Sequence, residues 1–311
     1  MDTLYFDSDI DEQVRRDHLF KGELFVYSAR PGVSALCEFA RTLIEESFGT
    51  ADPTVAQHQM PKDKFIATLA RLKPAFVHHS RSKELLQQVL KDFGCDLNKT
   101  YFDVPRLKSV TDGGHQNSGL TYGIHPHRDT WYSAPFCQVN WWLPVYPIGM
   151  NSALAFHPRY WNNPVRNGSS EFNHYRWNKY ARKVAAENFE EYTQNQPHPE
   201  EPIEMAPLVK LVCPVGGIIV FSGAQLHSAV SNTSGKTRFS IDFRTVHFND
   251  VVAKTGAPNV DSAATGTTLR DFMRATDFAR LPEEIVSLYD DEPVTDGELI
   301  FEPPSFDKHS A

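Results

Sequence analysis

Long hydrophobic runs are missing from this 311-residue chain, and no stretch reaches the roughly 18 consecutive apolar residues that a membrane-spanning helix needs. Cysteine is scarce. Cys37, Cys95, Cys137 and Cys213 lie far apart and form no CxxC pair. That spacing excludes a disulfide-stapled scaffold and fits reduced, mostly buried thiols, as in the cytosol. Positive charge is also short: 31 Lys and Arg face 39 Asp and Glu, a net charge of −8. Such a balance argues against a general nucleic-acid footprint, which needs a basic face, but leaves room for a local basic pocket. The first nine residues are acidic and carry neither a basic n-region nor a long apolar run, so a cytoplasmic location is expected. What is abundant is core-forming material. Hydrophobic residues make up 41% and aromatics 12%, enough for a sizeable core and too much for general disorder.

Residues 1–98 read as a mostly helical support after a short start. Leu36, Phe39, Leu43 and Phe48 fall on one face of a helix beginning near Ser34. Leu85, Leu86, Val89, Leu90 and Phe93 do the same for a second helix ending at Gly94. From Tyr101 the period becomes that of strands. Val104, Arg106, Lys108 and Val110 read as one strand, and a turn-rich loop follows over 112–119. Further strands are expected at 121–127, 136–143, 153–157, 208–213, 217–222 and 237–247. Many short strands set apart by Pro and Gly turns point to a jelly roll or barrel over 99–250. A stretch at 161–207 interrupts it, with Trp177, Tyr180, Ala181, Val184, Ala185 and Tyr192 at helical spacing. It is either an amphipathic helix covering the outside of the barrel or a lid with an aromatic inner face. Residues 251–311 add a Gly/Ala/Thr-rich linker, helices at 268–275 and 282–289, and an acidic tail. No internal repeat appears. One domain over 1–311, mainly β with flanking helices, is the simplest account.

The most informative residues are His127, Asp129, His227 and Arg238. A His-x-Asp pair arises easily by chance among 13 histidines, so its setting matters. Pro126 restricts the chain before His127, placing it at a strand end with Asp129 just beyond. His227 closes the apolar run from Ile218, which opens after Pro214-Val-Gly-Gly217. Arg238 begins a strand to Arg244 whose even positions share one face. Two imidazoles and one carboxylate occupy three adjacent corners of an octahedron, an arrangement that suits Fe(II) and leaves corners for a co-substrate and O2. Arg238 is then the candidate clamp for the far carboxylate of a 2-oxo acid such as 2-oxoglutarate, a bidentate geometry that Lys cannot match. A carboxylate at Asp129 fills the corner a halide would need, which favours hydroxylation, or related desaturation and ring closure, over halogenation.

At these residues the chain resembles the Fe(II)/2-oxoglutarate-dependent dioxygenases, most closely the phytanoyl-CoA dioxygenase-like branch. The matching pieces are His127-Arg-Asp129, the Gly216-Gly-Ile-Ile-Val-Phe221 strand leading to His227, Asn232-Thr-Ser-Gly-Lys-Thr-Arg238, and Asn151-Ser-Ala-Leu-Ala-Phe-His-Pro158. The resemblance covers about 101–250. It implies a double-stranded β-helix (cupin-like jelly roll), with His127, Asp129 and His227 as iron ligands and Arg238 on 2-oxoglutarate. Two features depart from the family pattern: Gly216-Gly217 stands where Gly-Asp is usual, and the 161–207 insertion is long.

Supporting roles follow with alternatives open. Arg244 shares a face with Arg238 and either orients Asp129 or the 2-oxo acid, as the second Arg does in the nucleic-acid demethylases of the superfamily, or forms an inter-strand salt bridge. Gln138, Asn140 and Trp142 alternate along one strand and line the co-substrate pocket if the parity is right; Cys137, Val139 and Trp141 then face away. His125 reads as a residue behind the ligands or against substrate rather than a ligand. Basic and aromatic residues near the expected mouth are Arg106, Lys108, Arg128, Trp131, Tyr132, His157, Arg159, Trp161 and Arg166. Their local charge favours a small anionic substrate such as a sugar acid, an amino-acid derivative or a natural-product intermediate. Competing expectations are a demethylase of nucleic acid or protein on the same scaffold, and a non-redox metal-dependent hydrolase or binding protein. Arg238 has no evident role in the latter. Oligomeric state has no signature in the sequence.

Overall fold

The computed structural model describes residues 3–113, 125–181 and 196–290. Its centre is a large sheet built around one long strand. The strands are β1 (Leu4–Phe6), β2 (Leu24–Tyr27), β3 (Thr100–Phe102), β4 (Arg106–Val110), β5 (Val139–Pro144), β6 (Leu154–Phe156), β7 (Val209–Leu211), β8 (Ile218–Ser222), β9 (His227–Ala229), β10 (Arg238–His247) and β11 (Met273–Arg274). Along the large sheet the order is β1-β2-β8-β5-β10-β3-β11, with β4 also pairing β10. A second sheet runs β7-β6-β9. Strand β10 is antiparallel to β5 on one side and to β4 and β3 on the other.

Period-two geometry sends alternate side chains of each central strand to opposite layers. Ile219 and Phe221 of β8 and Trp142 of β5 join Leu154, Phe156 and Leu211 of the small sheet in one apolar cluster. The two sheets therefore pack face to face. Ile218, Val220, Trp141, Leu143, Phe239, Ile241 and Phe243 point the other way. There they meet helices α1 (Glu12–Leu19), α2 (Pro31–Phe48), α3 (Ala56–Gln59), α4 (Lys62–Val77) and α5 (Ser80–Asp92). Burial on both faces explains why Leu24-Phe-Val-Tyr27 and Ile218-Ile-Val-Phe221 read as unbroken apolar runs rather than alternating ones. Just before β8, Gly216 takes φ +83°, and a Cβ on Gly217 would lie 2.5 Å from the Tyr27 carbonyl oxygen. The Gly-Gly turn lets the two strands close on each other.

The core strands, α2 and α5 lie close to their expected positions. Three expectations change. Residues 1–98 contribute β1 and β2 to the edge of the large sheet, so this region is not wholly a helical support. A four-residue apolar strand carries no period to distinguish it from a helical segment. The helix expected at 268–275 is a 3₁₀ turn, Thr268–Asp271, followed by β11 pairing with β3. At 282–289 a helix is present but short, Glu283–Val286, before a 3₁₀ turn. In the 161–207 stretch a helical turn at His174–Arg176 runs on as a π-helix, Trp177–Ala181. The strand expected at 121–124, the positions Val184, Ala185 and Tyr192, and the acidic tail from 291 lie outside the described residues. Among the described residues no helix is long and apolar enough to cross a membrane, and all four cysteines are free and buried.

Candidate metal centre

His127 and His227 face each other as a reciprocal antiparallel bridge, each backbone N–H donating to the other's carbonyl at 3.0 Å. This pairing sets their rings side by side, with centroids 4.5 Å apart. Asp129 is fixed beside them because its own N–H donates to the Gly223 carbonyl at 2.9 Å, at the turn leaving β8. The three donor atoms lie within 4.8 Å of one another. Asp129 Oδ1 is 3.7 Å from His127 Nε2 and 4.0 Å from His227 Nε2.

Tautomer and charge are set by the surroundings. His127 Nδ1 bonds the His125 carbonyl at 3.1 Å, and His227 Nδ1 bonds the Gln225 carbonyl at 2.9 Å. A carbonyl only accepts, so each Nδ1 holds the proton and each Nε2 offers its lone pair to a metal. Burial, reinforced by His227, pushes His127 down to about 3. Burial likewise brings His227 to about 4. Both rings are thus neutral near pH 7, the form that binds metal. Asp129 Oδ2 accepts from Gln138 Nε2 at 2.9 Å and Asn140 Nδ2 at 2.8 Å, and Gln138 also donates to Asn140 Oδ1 at 2.9 Å. That leaves Oδ1 for the two-histidine side.

These groups open into a cavity of about 440 Å³. Arg238 reaches it from the start of β10, almost fully buried, with Nη1 on the Ser152 carbonyl at 2.9 Å. Its guanidinium lies 5.5 Å from the Trp142 ring centre, and its Nε has no partner. Burial lowers its pKa to about 10, so it stays cationic at neutral pH. Ser240, two residues on and on the same strand face, also has a buried hydroxyl without a partner. Arg244 sits among carboxylates: Asp103 at 3.1 Å, Asp242 at 3.3 Å and Asp129 at 3.8 Å. Asp103 further accepts the Arg244 N–H at 2.7 Å and pairs with Arg106. Burial raises the Asp103 carboxyl above its ordinary range.

Of the residues singled out in the sequence, His127, Asp129, His227, Arg238, Arg244, Gln138, Asn140, Trp142, Arg106, Lys108 and Tyr132 share this cavity. Seven others do not line it, among them Trp161, buried beside Ala224 and Ala257, and Arg166, which pairs with Glu200. Arg128 is buried and its donors are taken by Asp261, Ala224, Tyr160 and Asn163. Trp131 is fully buried and donates to Asp261. His157 is buried against Ser228, its Nε2 3.1 Å from the Ser228 hydroxyl. Arg159 pairs with Glu204 at the surface. His125 stands behind His127, ring centres 6.0 Å apart. Cavity residues the sequence did not single out include Ser240, His174, Asp271, Phe172 and Thr268. Ser240, and Asp242 beside it in the cavity, had a readable signal in their even spacing from Arg238.

Two neutral imidazoles and one carboxylate, converging between packed sheets with an open side, define a protein with a candidate facial metal site. No protein-family model matches the chain, and no curated protein matches it. Solved structures do overlap with it. EvdO2 from Micromonospora carbonacea var. aurantiaca, complexed with 2-oxoglutarate, is 12% identical over 76% of this chain and 91% of that one, with a TM-score of 0.44. The non-heme alpha ketoglutarate dependent epimerase SnoN from nogalamycin biosynthesis is 12% identical over 81% and 95%, with a TM-score of 0.40. EctD from S. alaskensis with bound Fe is 14% identical over 82% of each chain, with a TM-score of 0.37. Overlaps this distant carry no functional weight; the side-chain geometry does.

Proposed function

We propose that the protein is a non-haem Fe(II)/2-oxoglutarate-dependent oxygenase that hydroxylates a C–H bond of a small molecule. The observation that carries this reading is one cavity holding both the His127, Asp129 and His227 donors and the buried, unpartnered Arg238 Nε and Ser240 hydroxyl. A buried donor left without a partner is costly, and a carboxylate arriving there relieves it. His127, Asp129 and His227 would hold Fe(II), and Arg238 with Ser240 would hold the distal carboxylate of 2-oxoglutarate. So bound, the two would supply O2 activation, with succinate and CO2 released and one oxygen atom passed to substrate. The protein's own part is geometric. Gln138 and Asn140 keep Asp129 turned to a single-oxygen ligand, Trp142 packs beside the Arg238 guanidinium, and Arg244 steadies Asp129 through the carboxylate web.

In this reading the two packed sheets form a jelly roll. The Gly216–Phe221 strand and the Asn232–Arg238 segment favour the phytanoyl-CoA dioxygenase-like branch. An anionic substrate would meet Lys108 and Arg106, which line the cavity, whereas Arg128 and Arg159 do not. Four buried free thiols fit a reducing, cytoplasmic setting, and the acidic balance fits a small-molecule rather than a nucleic-acid partner.

Anaerobic addition of Fe(II) and then 2-oxoglutarate is expected to produce a visible charge-transfer band, absent in His127→Ala and Asp129→Ala. With O2, succinate should form only when both are present. If no band appears and zinc supports turnover of a hydrolysable substrate, the hydrolase reading replaces this one.

A further inference from the structure

Arg128 lies between two metal-ligand candidates yet points away from them, and four hydrogen bonds from its guanidinium tie together segments distant in sequence. Nε donates to Asp261 Oδ2 at 3.0 Å, and Nη1 to the Ala224 carbonyl at 2.6 Å. Nη2 serves the Tyr160 and Asn163 carbonyls, the latter at 3.2 Å. Ala224 belongs to the turn that delivers His227, while Arg128 itself adjoins His127 and Asp129. One guanidinium therefore joins both ligand-bearing segments.

Asp261 is the counterweight. Its side chain is 4% exposed, against 2% for Arg128. Oδ1 accepts from Trp131 Nε1 at 2.7 Å, and Oδ2 also accepts the Val165 N–H at 3.0 Å. Its carbonyl accepts Asn167 Nδ2 at 2.9 Å. Neighbouring residues extend the clasp: the Ser262 hydroxyl donates to the Thr130 carbonyl at 2.6 Å, and the Ser133 hydroxyl to the Thr265 carbonyl at 2.7 Å. The turn that begins at Asp129 is held on its far side by residues 261–265, about 130 positions away in the chain. A buried Arg–Asp pair adds little net stability by itself because desolvation opposes the attraction, but it imposes a defined arrangement on what it joins.

We infer that Asp261, acting through Arg128 and Trp131, is a positioning residue that presents Asp129 and His227 to one metal ion. This rests on the reading of His127, Asp129 and His227 as the metal site. Residues that orient ligands without touching the ion typically change metal affinity by roughly 10- to 100-fold.

The test is anaerobic Co(II) titration of the full chain, following the visible ligand-field bands and the dissociation constant. Asp261→Asn removes the charge that anchors Arg128. Arg128→Lys keeps a cation but cannot reach four acceptors at once. Both should lose roughly 10- to 100-fold in Co(II) affinity with shifted bands. A core control, Ile241→Val, should melt at a lower temperature yet bind within about twofold of the parent, because a shaved methyl in the helix-facing core leaves the ligands in place. Parent-like affinity and bands in both network variants overturn the inference, as does a loss in Ile241→Val equal to theirs. Should Asp261→Asn fail to fold, Arg128→Lys and Trp131→Phe decide by the same criterion. A parent that binds no Co(II), matching His127→Ala, overturns the metal reading itself and this inference with it.

Discussion

The two carboxylate oxygens of Asp129 have different partners, and that asymmetry is the most specific feature at the residue scale. Oδ1 faces the imidazoles, whereas Oδ2 takes two side-chain amide donors, from Gln138 and Asn140. Removing a donor frees the carboxylate to rotate or chelate through both oxygens. Gln138→Ala and Asn140→Ala should each weaken metal binding by roughly 10-fold. The double variant should lose less than the product of the two, because Gln138 also bonds Asn140 and the pair acts together. Competition titration against a metal indicator checks this, and a fully multiplicative loss would show two independent contacts. In the sequence the alternation of Gln138 and Asn140 on one face was readable, but which way that face points stayed open and their acceptor was not legible. Nothing local to 138–140 says that Asp129 has folded back over them.

At the scale of elements, β10 is the organising strand. Its pocket-facing residues Arg238, Ser240, Asp242 and Arg244 alternate with Phe239, Ile241 and Phe243, which pack on the helices. The alternation was legible because the strand has helices on one side and a polar cavity on the other. Arg238→Ala should raise the half-saturating 2-oxoglutarate concentration by roughly 10- to 100-fold, equivalent to ~1.5–3 kcal/mol for a charge-assisted bond, with metal affinity kept. Ser240→Ala should raise it less, by ~2- to 10-fold. An unchanged requirement in Arg238→Ala would assign the clamp to Arg244. Strands β1 and β2 show the opposite case. Only three and four residues long, they are too short to display the period that identifies a strand, and it is the pairing of β2 with β8 and of β1 with β2 that makes them strands.

For the whole molecule, the helical layer over the large sheet has a pH signature of its own. Lys73, on α4, has its amine pushed down to about 7 by burial and by the charge of Lys108. Between about pH 7 and the ordinary Lys value near 10.4, the unfolded chain binds more protons at this site than the folded one. Stability from this group therefore rises with pH across that window, and the cost of holding a charged amine is greatest below pH 7. Lys73→Met should raise the melting temperature at pH 6, with the advantage shrinking by pH 9.5. An equal advantage at both pH values would mean that packing, not charge, is responsible.

The sequence by itself determined the strand periods from Arg106 onward, the helical faces of α2 and α5, and the candidate ligands His127, Asp129 and His227. Each is marked by local spacing, by Pro and Gly punctuation, or by residue chemistry. Tertiary structure alone decided which of the remaining polar residues meet. It sent Arg128 and Trp131 to Asp261, withdrew His157 and Arg159 from the cavity, and brought His174, Asp271 and Thr268 into it. Side-chain direction on a strand follows from a period of two, but the partner across a gap of a hundred residues depends on how sheets, turns and helices pack. That packing is set by the whole chain and by no one segment of it.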